Sequence, residues 1–297
     1  MNVLITGACG FIGRNLIKEL ETRHSLRLVD SVAPADATVF AGGRDRKAAP
    51  LVTSWPFVKA DVTDLAAMRQ ACEGMDAVVH LAADPTGYAD RGREIMQLNV
   101  VGTYVVCDAA RLAGAKRFFC ASSINAFGTF YWRLSGRPAP YTTMPLDESF
   151  DPVPEDPYSL SKRCNEETCA AFTRAYGLTT AAFRFAGVFS QERYETFRRD
   201  PKPTAAWSDD LWQWVHVSDL VRGLRQALEC TALQGCNVFT LGAGDTRCPE
   251  PTLELLQRFR PDLAARVTAP LPGRAPLLAI DRARNAFGYA PSFRLGQ

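Results

Sequence analysis

Tyr158 and Lys162 stand four residues apart where a helical pattern begins. On one helix, side chains at i and i+4 share a face, with Cβ atoms about 5–6 Å apart. A phenol ordinarily keeps its proton to about pH 10, and a fixed ammonium beside it favours the phenolate and lowers that value. The pair therefore predicts a tyrosine that serves as general acid and base near neutral pH, held by a lysine. With 8 tyrosines and 6 lysines in 297 residues, random placement produces about 0.16 such spacings, so the pair gains meaning only from its surroundings.

The elements that must position the pair are legible upstream. Residues 2–6 are a short apolar run that meets Gly7-Ala8-Cys9-Gly10-Phe11-Ile12-Gly13, after which residues 14–20 carry a helical pattern. Strand, glycine turn and helix in that order open a dinucleotide-binding βαβ unit. The three glycines let the backbone turn sharply, approach a pyrophosphate and pack helix on strand, while the first-turn N–H groups favour its negative charge. A second strand, residues 25–29, ends at Asp30, 17 residues after Gly13. An acid at that distance takes the adenosine ribose hydroxyls and repels a 2′-phosphate, so NAD is expected rather than NADP.

Residues 33–56 read as a loop. A third strand over 57–60 ends in Asp61-Val62, at the expected adenine edge, and 63–72 reads as a helix. A fourth strand over 76–81 contains His80, read as a packed strand residue, and runs into Leu81-Ala82-Ala83, small enough for a cofactor to lie across. Asp84 to Arg93 is a polar loop at the same edge, and a helix over 94–113 contains Asn99. The fifth strand, 116–121, delivers Ser122-Ser123 at its carboxyl end, where parallel sheets bind ligands, so one hydroxyl is expected to hold a substrate oxygen beside Tyr158.

Residues 129–157 form an aperiodic insertion of the length typical of lids and binding loops. Tyr131, Trp132, Arg133 and Arg137 within it either cover a substrate or anchor the loop. A helix follows over 159–176, then a sixth strand over 179–186. The chain then turns charged and proline-bearing over 191–210, and a short strand (214–217), a helix (218–229), a strand (237–241) and a helix (253–259) close the order. The expected fold is α/β, a Rossmann-type doubly wound parallel sheet with a small C-terminal substrate lobe. Residues 1–183 with a return at about 211–232 make the dinucleotide domain, and 184–210 with 233–297 make the lobe.

Composition bounds the partners. The chain is 47% hydrophobic and 22% charged with net charge +2, a soluble globular profile without an electrostatic case for nucleic acid or membrane. Nine cysteines lack CxxC or metal-ligand spacing, so buried reduced thiols, no metal and a cytoplasmic location are expected.

Collected, Thr6 to Gly13, Asp30, Asp61-Val62, His80 to Ala83, Asn99, Ser122-Ser123, Tyr158-xxx-Lys162, Arg184 and Val215-His-Val-Ser-Asp219 resemble the extended short-chain dehydrogenase/reductases of the NAD-dependent epimerase/dehydratase family. The resemblance implies Tyr158 as acid/base, Lys162 on the nicotinamide ribose and Ser123 on the reacting hydroxyl. It implies a cofactor surface from Gly7, Cys9, Gly10, Phe11, Ile12, Gly13, Asp30, Asp61, Val62, Leu81, Ala82, Ala83, Asn99, Ser122 and Phe185, besides Tyr158 and Lys162. Substrate is expected at Asp84, Ser123, Asn125, Trp132, Arg133, Tyr158 and Gly187, and a homodimer through the helices near 94–113 and 158–176. Three departures narrow the chemistry. Ile124-Asn125 stands where sugar dehydratases carry an acidic pair, which disfavours elimination. Gly187 replaces an asparagine usual in nucleotide-sugar epimerases, and the segment over 188–214 is short for a nucleotide handle. The expected reaction is hydride transfer at a carbinol carbon of a sugar or sugar acid, as in uronate dehydrogenases. A nucleotide-sugar epimerase and a non-catalytic NAD-sensing protein are the alternatives.

Overall fold

The computed structural model describes residues 1–41, 44–128 and 133–296. Its elements, in chain order, begin with β1 (Asn2–Thr6), α1 (Phe11–Leu20), β2 (Ser25–Asp30), β3 (Thr38–Ala41), β4 (Arg44–Lys47), β5 (Phe57–Lys59), α2 (Leu65–Cys72) and β6 (Ala77–His80). Next come α3 (Gly92–Met96), a π-helical turn (Gln97–Val101), α4 (Gly102–Leu112), β7 (Arg117–Ser123), α5 (Pro157–Tyr176), β8 (Thr179–Phe185) and β9 (Val188–Phe189). The chain finishes with α6 (Gln191–Arg199), β10 (Val215–His216), α7 (Val217–Glu229), β11 (Cys236–Leu241), α8 (Thr252–Phe259), α9 (Pro261–Ala264) and α10 (Asp281–Phe287).

Seven strands form one parallel sheet in the order β11-β8-β7-β6-β1-β2-β5. Its inner strands β1, β6, β7 and β8 are buried on both faces, as parallel sheets require. β1 shows why an unbroken apolar run suits that position: Val3 and Ile5 enter the core shared with Leu16 and Ile17 of α1, whereas Leu4 enters the opposite core with Val106 and Cys107 of α4. Alternate side chains of a strand point to opposite faces. From β1 the chain winds outward to β2 and β5, then returns to β6 and continues through β7, β8 and β11. The reversal opens a crevice at the carboxyl ends of β1 and β6, the ligand position in such sheets.

Several elements differ from the sequence reading. Residues 33–56 are not all loop, because Thr38–Ala41 and Arg44–Lys47 pair antiparallel. Residues 94–113 do not make one regular helix, because a π turn at Gln97–Val101 interrupts them. A helix occupies Gln191–Arg199, capped by the Ser190 side chain on the Arg193 N–H. Cys236–Leu241, grouped with the lobe from sequence, is an edge strand of the main sheet paired with β8. All nine cysteines are free thiols.

Candidate active site

The glycine turn is built by exclusion. Gly7 sits at φ +70°, and a Cβ there would lie 2.7 Å from the Ala82 backbone nitrogen. A Cβ on Gly13 would lie 2.3 Å from the Gly7 carbonyl oxygen, and one on Gly10 3.2 Å from the same atom. Any side chain would push α1 off β1, so only glycine brings the helix N-terminus to the sheet edge. Asp30 ends β2 and ties the turn down: Oδ2 accepts from the Cys9 N–H (2.9 Å) and Oδ1 from the Val32 N–H (3.1 Å). Each oxygen keeps a lone pair for a further donor such as a ribose hydroxyl. Cys9 points its thiol at Val32 O (3.6 Å), and burial pushes its pKa up to about 11, so it is packing rather than a nucleophile. Phe11 and Ile12 open α1.

After β5, at the edge expected to face adenine, Asp61 Oδ1 accepts from both the Thr63 N–H and hydroxyl at 2.8 Å. Val62 is buried against Gly102, where a Cβ would meet Val62 Cγ2 at 2.8 Å. His80 is not a bystander among apolar residues. Thr103 Oγ1 donates to Asn99 O (2.6 Å), so its oxygen accepts from His80 Nε2 (3.1 Å), and His80 Nδ1 accepts from Thr6 Oγ1 (2.7 Å). This assigns the neutral Nε2–H tautomer. Burial, with the Lys162 ammonium behind it, lowers the His80 pKa to about 3.

Asn99 lies in the π turn and serves the protein framework. Its Oδ1 accepts from the Asp84 N–H (2.8 Å), and its Nδ2 donates to Asp84 O (2.9 Å) and to Ser161 Oγ (3.0 Å). Ser161 Oγ in turn donates to Tyr158 O (2.7 Å). The π turn thus locks the loop after β6 to the first turn of α5, consistent with the frequency of such bulges at functional sites. Leu81, Ala82 and Ala83 pass half-buried between them.

Tyr158 and Lys162 do share a face of α5, with Lys162 Nζ 5.4 Å from the Tyr158 ring centroid. The phenol hydrogen-bonds the Ser123 side chain, and Ser123 Oγ also accepts from the Asn125 N–H (3.1 Å). Lys162 Nζ donates to Ala121 O (3.0 Å), the strand end that carries both serines. The expected effect of the lysine on the tyrosine is not what dominates here. Burial pushes the Tyr158 pKa up to about 12 against the pull of the Ser123 bond, and Asp156 and Asp84 push in the same direction. Burial lowers Lys162 to about 8.

Three candidates have other tasks than the sequence suggested. The Ser122 hydroxyl donates to Glu166 Oε1 (2.7 Å), which together with Glu166 Oε2 receives Arg184 Nε and Nη2, each at 2.8 Å. That buried triangle joins β7, α5 and β8. Arg133 donates to Gly128 O (2.6 Å) and Arg137 O (2.9 Å) and pairs with Glu155 at 2.6 Å. It staples its own loop through its Nε and both terminal nitrogens. Asp84 accepts from the Thr86 N–H and hydroxyl and pairs with Arg91 at 2.8 Å. Asn125 is buried beside Ser123, Phe185 is the register partner of Ser123 on β8, and Gly187 follows with its Cβ position 3.4 Å from Gln213 O. Tyr131 and Trp132 lie outside the described residues.

Sequence reasoning missed the N-cap of α5. The Asp156 carboxylate accepts from the Ser159 N–H (2.9 Å) and from the Ser159 hydroxyl. An Asp-Pro pair just before a helical run was the available signal.

A doubly wound sheet with a glycine turn at its switch point and a Tyr-xxx-Lys helix beside its third central strand defines an extended short-chain dehydrogenase/reductase. The family model for the NAD dependent epimerase/dehydratase family matches residues 3–242. The chain belongs to that family. It is 28% identical over 242 residues to dTDP-glucose 4,6-dehydratase of Mycobacterium tuberculosis, covering 77% of this chain and 69% of the relative. It is 26% identical over 244 residues to uronate dehydrogenase of Pseudomonas putida, covering 82% and 74%. Among solved structures, UDP-glucose 4-epimerase of Thermotoga maritima superposes with a TM-score of 0.68 at 22% identity, covering 99% and 95%.

Proposed function

We propose that this chain is an NAD-dependent oxidoreductase that acts at a carbinol carbon of a sugar or sugar acid. The observation that carries the reading is the hydrogen bond between the Tyr158 phenol and Ser123, one helical turn from Lys162, at the sheet edge that also holds the glycine turn. Bound NAD supplies the hydride acceptor. The glycine turn and the N-terminus of α1 would hold its pyrophosphate, Asp30 the adenosine ribose, and Lys162 the second ribose. Ser123 would orient the substrate oxygen, and Tyr158 Oη would take the hydroxyl proton and return it when the carbonyl is reduced.

Elimination of water is disfavoured although dTDP-glucose 4,6-dehydratases are among the relatives. Ile124 and Asn125, both buried, offer no proton for a leaving hydroxyl. The likeness to uronate dehydrogenase over 82% of the chain supports a free sugar acid. Absorbance at the NADH band with a panel of sugars, uronic acids and nucleotide sugars tests the reading. Net NADH formation that vanishes in Tyr158→Phe supports it; turnover of a nucleotide sugar without NADH points to an epimerase; NAD binding with no turnover of any class points to a sensor.

A further inference from the structure

We propose that α6 opens away from the rest of the molecule as a single unit, and that residues 292–296 are the catch that holds it shut. The inference stands apart from the functional reading, since no ligand enters it. α6 owes little of its shape to itself. It has nine residues, short of the about 12–15 at which an isolated helix becomes even marginal in water. Ser190 caps its first turn, and Tyr194 is its one buried side chain. Phe197 is half-buried and the other side chains of the helix are exposed. Residues 200–203 are exposed as well, up to Thr204, where the Glu250 carboxylate takes the N–H (2.8 Å) and the hydroxyl (2.7 Å). The stretch able to swing is therefore 191–203, with its ends fixed at Ser190 and Thr204.

The rings that hold this stretch are distinct from the two cores of the sheet. Tyr194 and Phe197 join Phe189, Trp214, Ala243, Phe293 and Leu295 in a cluster of their own, and Arg193 lies over the Phe189 ring at 4.1 Å. The Tyr194 ring stacks on Trp214 (5.8 Å between centroids) and meets Phe293 edge-on (5.2 Å), while its hydroxyl donates to Arg294 O (3.0 Å). Phe293 in turn lies flat against His216 at 3.6 Å. The catch itself is firm. Asp219 and Asp245, both buried, take the backbone N–H groups of Ser292 and Phe293 on one side of Arg294 and of Leu295 and Gly296 on the other. Buried carboxylates thus pin the catch, whereas the helix leans on it through one phenol and a few ring contacts. Segments with few buried apolar contacts open first, and as cooperative blocks. Ser190 lies five residues beyond Phe185, the register partner of Ser123, so the opening takes place just past the strand end that frames the site.

Hydrogen exchange of the full-length protein, read by mass spectrometry without added ligand, tests the proposal. Peptides covering 191–203 should exchange together, about tenfold or more faster than those of α5 and β8. Phe293→Leu keeps an apolar residue in the catch and removes the ring that Tyr194 meets; Tyr194→Phe keeps the ring and removes the bond to Arg294 O. Each should raise the exchange rate of 191–203 about fivefold or more, equal to about 1 kcal/mol, and leave α5 and β8 at the parent rates. Exchange of 191–203 as slow as that of α5 in the parent overturns the opening unit. Unchanged exchange of 191–203 in folded Phe293→Leu overturns the catch, and so does equal acceleration of α5 and β8, which marks a loss of overall stability alone. If Phe293→Leu does not fold, Tyr194→Phe decides by the same two readings.

Discussion

The dinucleotide half and the C-terminal lobe reach rigidity by opposite means. The turn after β1 is fixed by missing atoms: a Cβ on Gly7 or Gly13 would collide with backbone, and one on Gly10 would be a tight fit. The lobe is fixed by carboxylates that gather distant donors. Asp210 receives the Trp212 N–H (2.9 Å), the Ser208 hydroxyl (2.6 Å) and both terminal nitrogens of Arg247 (2.6 and 2.9 Å). Leu211 and Trp212 sit at φ 55° and 53° beside that clamp, a backbone state that costs about 1 kcal/mol or more per residue and persists only where surroundings enforce it. Asp245 holds the N–H groups of Leu295 and Gly296, and Asp219, on α7 of the dinucleotide half, reaches across to those of Ser292 and Phe293.

The sharpest break of this contrast lies between the halves, at the chemical step. Tyr158→Phe should lower turnover by about 10²–10⁴-fold, the worth of a positioned acid/base, while NAD titration gives an affinity near that of the parent. Within the dinucleotide half, Gly13→Ala should weaken NAD binding by more than tenfold and destabilise the fold by about 2 kcal/mol, read by calorimetry and urea unfolding. Within the lobe, Arg247→Met leaves Asp210 without its cation, at a cost of about 2 kcal/mol. It should raise KM for the sugar while NAD affinity stays put; an equal loss of NAD affinity would erase the distinction between halves. Asp30→Asn should cost about 1 kcal/mol, because one N–H of the turn loses its acceptor, and narrow the preference for NAD over NADP.

A separate, pH-dependent effect lies inside the sheet of the dinucleotide half, on β6. His80 is neutral in the fold with its pKa lowered to about 3 from 6.5, so the unfolded chain takes up that proton first. Its contribution to stability is present above pH 6.5 and is lost as pH falls towards 3. Urea midpoints measured across that window should fall with acid, and His80→Gln should flatten the slope.

The same contrast explains what the sequence revealed. Glycines at 7, 10 and 13, Asp30 and the Tyr158–Lys162 spacing were legible because each constraint is local and leaves a recognisable residue at a fixed interval. The clamps of the lobe were not, since the partners that close them lie 37 to 74 residues away and no short pattern records them. Arg133 was open between covering a substrate and anchoring the loop, and its bonds to Glu155 and the Gly128 carbonyl, which anchor the loop, follow no local pattern. Lys162 misled in degree only, because its spacing shows in the sequence whereas the burial that opposes it does not. Ser122 was read as a cofactor contact because its partners, Glu166 and Arg184, belong to two later elements. Asn99 and His80 carried the right positions with incomplete roles, since the π turn that unites them has no signature in residue type.

The free thiols carry a practical consequence. Cys72, Cys107, Cys120 and Cys169 lie in the core face packed by α2, α4 and α5, and burial pushes Cys72 up to about 12 and Cys107 higher still. A thiol that is neither ionised nor reachable meets an alkylating reagent only when its surroundings part. Half-buried Cys164, Cys230 and Cys236 should be modified first, and the four core residues later, each at the rate its own layer breathes. The molecule thereby carries an internal set of clocks, from which mass spectrometry can time the loosening of one face of the sheet without any added probe.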